Sequence, residues 1–262
     1  MGLFDKKFCA ICGGKAGFLA LSFKDGKNLC DACWKKLAYN GSINLEIRNK
    51  IDTNINEMSV EDYNAFIALR EQNLEVLKTF NPTKSYKYIH MDEETGNVLL
   101  FPQRDLKNRE TLLAKNPPVF NILEIAFMRV VCSDVERDTT ITGKATASCD
   151  ASLVIAVDNP IYTVCKVPLG KGKAKEDFFG NMKDKWDPVI DEVMGTLNGM
   201  FHGLELEDKE RAALVDDDKL TIGIRMAKEA KFLSRDDVEE ILQELCRGDR
   251  ELIMQIKMMY NL

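Results

Sequence analysis

Two cysteine pairs, Cys9-Ala-Ile-Cys12 and Cys30-Asp-Ala-Cys33, stand 17 residues apart near the start of the chain. A two-residue gap lets both sulfurs of a pair reach one ion, and two such pairs complete the tetrahedral shell of Zn2+ at about 2.3 Å. Four thiolates leave no position for water, so the chemistry predicted for Cys9, Cys12, Cys30 and Cys33 is structural zinc binding, not catalysis. Two other uses stay open: a redox dithiol, which needs only one such pair, and an iron site. The other cysteines, Cys132, Cys149, Cys165 and Cys246, are scattered. That layout favours metal over disulfides, and all but Cys149 lie in or beside apolar runs, where cysteine acts as a small buried hydrophobe.

Other reactive residues are sparse. There are two histidines, His90 in a strand pattern among aromatics and His202 at a helix end. Both read as structural or surface residues. No Gly-x-Ser-x-Gly nucleophile motif is present. Asp216-Asp217-Asp218 lacks the alternation and glycine of a calcium loop and reads as a solvated charge run. Gly170-Lys171-Gly172-Lys173-Ala174-Lys175 reads as a basic loop, a solvated turn or else an anion cradle; it lacks Walker spacing.

The cysteines need elements to hold them. Gly13 and Gly14 permit a tight knuckle after the first pair. Asp25-Gly26 between short apolar stretches predicts a hairpin, and Trp34–Tyr39 a short helix opened by the second pair. Residues 1–41 therefore form a treble-clef-like zinc ribbon. Phe4, Phe8, Phe18, Phe23 and Trp34 are expected to supply its small core. Forty residues bury too little apolar area to fold alone, so metal binding and folding are coupled.

Residues 42–83 read as a helical connector. Ser59 caps a helix that Asn81-Pro82 stops, and a weak helix is expected around 43–51. Residues 84–202 change to period two. Strands are predicted around 86–91, 98–101, 122–131, 151–157 and 162–167, followed by an amphipathic helix over 178–201 that carries Trp186, Val189, Ile190, Val193, Leu197 and Met200. Residues 203–262 read as a helical C-terminal module, with helices over 220–230, 238–246 and 252–260. The last is apolar nearly all round, so it is either buried or offered to a partner. The fold class is α+β, with antiparallel strands in a partly open barrel capped by one helix.

Three stretches resemble a family of bacterial proteins with an N-terminal zinc ribbon and a pleckstrin-homology-like (PH-like) domain. They are the ribbon cysteines, Glu71–Thr83 and Pro118–Ile125; Leu153–Pro160 is similar to that family too. The resemblance spans roughly residues 1–200 and implies zinc binding, a PH-like fold and a bacterial setting, but no reaction. Relatives carry a Gly-rich apolar segment where this chain has the polar Asp134–Asp150.

Net charge is −6, with a basic head: residues 1–40 hold seven Lys against three Asp. No apolar run is long enough to cross a bilayer and no signal-peptide core is evident, so a cytoplasmic location is expected. These features predict a non-enzymatic zinc-binding interaction or scaffold protein that recognises a protein partner through the C-terminal helix or the PH-like domain. A nucleic-acid-associated protein acting through the basic ribbon is the alternative, and an enzyme with an unrecognised site is a third class.

Overall fold

A capping box starts the longest helix among the described residues. The Ser59 hydroxyl accepts from the Asp62 N–H at 3.0 Å, while the Asp62 carboxylate accepts from the Ser59 N–H at 2.8 Å. The helix, α2 (Val60–Thr79), ends where Phe80 turns extended ahead of Asn81-Pro82. It follows α1 (Asp31–Leu37) of the ribbon. The computed structural model describes residues 7–17, 20–37, 46–49, 55–139, 145–176, 182–185, 188–202 and 218–262. Buried Tyr63, Phe66, Arg70, Asn73 and Leu77 place one stripe of α2 inward. Tyr63 and Phe66 share a core with the ribbon, whereas Leu77 packs with Phe80, Leu99, Phe101, Leu112 and Val119.

In the ribbon, β1 (Leu21–Ser22) and β2 (Asn28–Leu29) pair antiparallel around Asp25-Gly26, and Gly26 takes a positive φ of 77°. Of the helix expected around 43–51, only residues 46–49 fall among the described residues, and they are not helical. Residues 46–49 are instead strand β3 (Glu46–Asn49), which pairs with the edge of a distant strand, a tertiary demand that overrides weak local propensity.

The period-two region forms two antiparallel sheets that do not close into a barrel. The first runs β4 (Lys84–Tyr86), β5 (Ile89–Asp92), β6 (Asn97–Leu100) and β7 (Val119–Asn121) in sequence order. Helices α3 (Gln103–Leu106) and α4 (Arg109–Lys115) lie between β6 and β7. The second sheet is ordered β11-β10-β9-β8, from β8 (Ile125–Thr139), β9 (Ala145–Val157), β10 (Tyr162–Glu176) and β11 (Met182–Lys185), with β3 also on β10.

These strands outrun the sequence reading. Much of the polar stretch 134–150 is strand, because β8 and β9 continue outward as a ladder. The helix predicted over 178–201 is shorter: β11 occupies 182–185 and α5 (Pro188–His202) begins at a proline suited to a helix's first turn. Its Ile190, Val193 and Leu197 are buried as expected, while Trp186 lies outside the described residues.

Strand β9 is buried on both faces. Leu153, Ile155 and Val157 belong to the core shared with the ribbon and the first sheet, whereas Val154 and Ala156 belong to a second core. That second face is covered by α6 (Asp218–Glu229), α7 (Arg235–Leu245) and α8 (Arg250–Tyr260), through Ile224, Ala227, Val238, Ile241, Ile253 and Ile256. Arg129 of β8 donates to Glu244 at 2.7 Å and to Glu240 at 3.0 Å, clamping α7. The last helix is buried only in part: Met254, Met258 and Met259 remain exposed.

One expectation about cysteine is overturned. Cys132 and Cys149, read as unpaired, form a disulfide across β8 and β9, where their Cα atoms lie 5.6 Å apart. Cys165 and Cys246 are free and buried, as expected.

Candidate metal centre

The first cysteine pair sits on a knuckle closed by its own backbone. Cys9 N–H donates to the Gly14 carbonyl at 2.8 Å and Gly13 N–H to the Cys9 carbonyl at 2.9 Å. Gly13 holds φ +69°, which a side chain would resist. Phe8 bridges Lys15 across the turn. The 17 intervening residues then fold back as the β1–β2 hairpin, and Ala10 N–H donates to the Asn28 carbonyl at 2.8 Å. That bond brings the knuckle beside the approach to Cys30. Trp34 and Cys33 N–H groups donate to the Cys30 carbonyl, so the second pair is set by the first turn of α1.

The four sulfurs of Cys9, Cys12, Cys30 and Cys33 all lie within 4.8 Å of one another and could hold a metal ion. Cys12 Sγ and Cys30 Sγ are 3.7 Å apart. A zinc tetrahedron with about 2.3 Å bonds has an edge of about 3.8 Å, so this separation needs little adjustment. Cys9, Cys30 and Cys33 are buried, and Cys12 is the exposed corner.

The protons on these sulfurs are held unequally. Burial disfavours the Cys9 thiolate, yet amides of Cys12, Cys30 and Ile11 donate to it and bring its pKa down to about 6. Burial, and then the sulfurs of Cys30, Cys12 and Cys9, push Cys33 up to about 12. A divalent cation among the sulfurs would reverse that second effect and let all four ionise.

The ribbon does not stand alone on this cage. Tyr63 of α2 donates its hydroxyl to the Cys33 carbonyl at 3.0 Å, and its ring meets Phe23 edge-on at 6.0 Å. Lys24 N–H donates to the Met58 carbonyl at 3.0 Å. Of the aromatics expected to form the ribbon's core, Phe23 is buried, Trp34 half-buried and Phe8 exposed, while Phe4 and Phe18 lie outside the described residues. Tyr63 and Phe66 of α2 join Phe23, Leu29 and Leu37 in that core. Three ribbon lysines are paired with acids: Lys24 with Asp62, Lys27 with Asp25 and Lys35 with Asp31.

Among the described residues, the other predicted positions do not join the cage; Asp216 and Asp217 lie outside the described residues. Gly170–Lys175 is not a loop; it lies inside β10, with Gly170, Lys171 and Gly172 opposite Ala151, Asp150 and Cys149. The ladder takes up that backbone, and Lys171 is salt-bridged to Asp150 at 2.6 Å. His90 is fully buried, its Nε2 is 2.7 Å from the Phe101 carbonyl, and Nδ1 has no hydrogen-bond partner among the described residues. Burial holds its pKa below the usual value. His202 closes α5 and Asp218 opens α6, both far along the chain from the cysteines. The Cys132–Cys149 pair escaped the sequence reading, because only the register of two long strands brings those residues together. Among the described residues, no helix is long and apolar enough to cross a membrane. The chain matches no protein-family model, no curated protein and no solved structure.

Proposed function

We propose that this chain is a cytoplasmic zinc-dependent interaction protein, in which the metal folds the N-terminal ribbon onto α2 and the rest of the molecule recognises a protein partner. One observation carries the zinc reading: four cysteine sulfurs within 4.8 Å, three of them buried, on a knuckle and a helix start. Zn2+ bound there would supply charge and tetrahedral geometry and no reaction, since all four positions are thiolates. Knuckle, hairpin and helix in that order support a treble-clef-like ribbon. The finer PH-like reading of the middle region is supported by its two antiparallel sheets and by α5, whose Val193 and Leu197 enter their common core.

Two observations favour interaction over chemistry. Buried His90 sits on the Phe101 carbonyl and is not part of the cysteine cluster, and α8 leaves three methionines open to solvent. Methionine adapts to varied surfaces, which suits a docking face.

The zinc reading is tested by elemental analysis of protein purified without added metal, followed by replacement with Co2+. About one zinc per chain and the intense thiolate charge-transfer bands of tetrahedral cobalt are expected. Metal-free folded protein, or iron, would overturn it. The partner reading is tested by placing a photo-reactive amino acid at Met258 in living cells. A discrete protein adduct is expected, and none would count against this surface.

A further inference from the structure

Strand β7 is an outer strand, and its register shows which of its backbone groups are committed. Leu100 N–H donates to the Pro118 carbonyl and Ile122 N–H to the Gly96 carbonyl, with Val98 opposite Phe120 between them. Bonded pairs alternate along an antiparallel ladder. Pro118, Phe120 and Ile122 therefore turn their backbone groups toward β6, and Pro117, Val119 and Asn121 turn theirs away.

Two of the outward groups are satisfied locally. The Pro117 carbonyl accepts from Asn73 Nδ2 at 3.0 Å, and the Asn121 N–H donates to Glu124 Oε2 at 2.7 Å. The Val119 N–H and carbonyl have no partner among the described residues, although Val119 is only 4% exposed. A buried strand edge left in this state requires something to pair with it.

Val119 lines a cleft of about 290 Å³ between β7, the Leu69–Val76 stretch of α2 and the Pro160-Ile161 turn. Its wall is already built: Asn159 Oδ1 accepts from the Ile161 and Tyr162 N–H groups, and Asn159 Nδ2 donates to Glu124 Oε1 at 3.0 Å. Glu124 lines the cleft, and its carboxylate pairs with no Lys or Arg among the described residues. The volume equals that of about ten waters at ~30 Å³ each, room for a few residues of extended chain.

We propose that this cleft binds an extended peptide, which adds as a short strand outside β7 through the Val119 N–H and carbonyl and sets a Lys or Arg side chain beside Glu124. Main-chain pairing gives affinity in this mode and flanking pockets give selectivity. The proposal deepens the interaction reading above and rests on it for the class of partner.

The test uses the full zinc-loaded chain labelled with 15N and titrated with three probes. They are acetyl-Ala-Val-Lys-Val-Ala-amide, its analogue N-methylated at each backbone nitrogen, and its Lys→Glu analogue. The first probe is expected to shift the Val119 amide resonance and slow its hydrogen exchange. N-methylation should abolish both effects, and the Lys→Glu probe should bind about five- to ten-fold more weakly. Glu124→Gln should remove most of that preference while the Val119 shift persists. An unmoved Val119 amide at about 10 mM probe, or equal binding of the methylated analogue, overturns the proposal and means that water alone serves the edge. That failure, in a chain that keeps its zinc and its Met258 adduct, leaves the broader interaction reading standing. Loss of both results overturns the reading itself.

Discussion

Substitution of Gly223 by alanine tests how tightly the C-terminal helices sit on the second sheet. Gly223 lies within α6, where a Cβ would stand 2.8 Å from Phe127 Cβ and 3.1 Å from Ala126 Cβ, both on β8. Neither neighbour is the far end of a flexible side chain. Ordinary carbon contacts are about 3.5–4.0 Å, so α6 would have to retreat by roughly 1 Å, loosening buried Ile224 and Ala227. Overpacking of this kind costs about 1–3 kcal/mol. Against it, Gly→Ala favours a helix interior by about 1 kcal/mol. The net expectation is a loss of about 1 kcal/mol. Gly195→Ala is the matched control, because a Cβ there meets nothing within 4 Å in α5. That change should stabilise by up to about 1 kcal/mol, so two identical substitutions in helices should differ in sign. Equilibrium urea unfolding of both variants, read as midpoints, measures the difference of about 2 kcal/mol. If Gly223→Ala unfolds at the same urea concentration as Gly195→Ala, or higher, the close approach of α6 to β8 is wrong.

Cys12→Ser should abolish stoichiometric metal retention and loosen the ribbon, checked by elemental analysis and circular dichroism. In the wild type, metal should be released as pH falls, because protons compete for the same thiolates. Removing Arg129 should cost about 1 kcal/mol, an effect that salt weakens, since its two carboxylate partners are more exposed than it is; urea midpoints at low and high salt test this. His90 titrates below its ordinary value in the folded chain because it is buried. The unfolded chain then binds the extra proton, so stability present above about pH 6.5 is lost as pH falls below it. His90→Gln should flatten urea midpoints measured between pH 7.5 and 5.5, and an unchanged slope would refute that assignment.

Local signals survived the comparison of sequence with structure, and distant ones did not. The Cys-x-x-Cys pairs, the Asp25-Gly26 turn, the Ser59 cap and the Asn81-Pro82 stop depend on neighbours within a few residues, and each lies where it was expected. The three C-terminal helices were legible from their apolar spacing and from the Ser234 cap. Failures came where a far partner decides. Residues 46–49 pair with β10 from more than a hundred residues away, against a faint helical tendency. Gly170, Gly172 and the alternating lysines look like a loop because turns favour those residues, yet a long ladder on β9 absorbs them. The gathering of the four cysteines was therefore readable in the sequence, while the open edge of β7 was not. Its unpaired groups belong to the backbone, and only the register identifies them.

The two-sided burial of β9 sets an order of events during synthesis. The sheet is complete in the chain before α6, α7 and α8 exist, and these helices span about 45 residues beginning at Asp218. At about 5–20 residues per second, the ribosome needs several seconds to deliver them. Throughout that interval Phe127, Val131, Val154, Ala156 and Val164 form a bare apolar surface on long, paired strands. Such a surface invites association with other nascent chains. The newborn protein thus passes through a stage in which the sheet is made and this face is still uncovered, and a chaperone would find its foothold there.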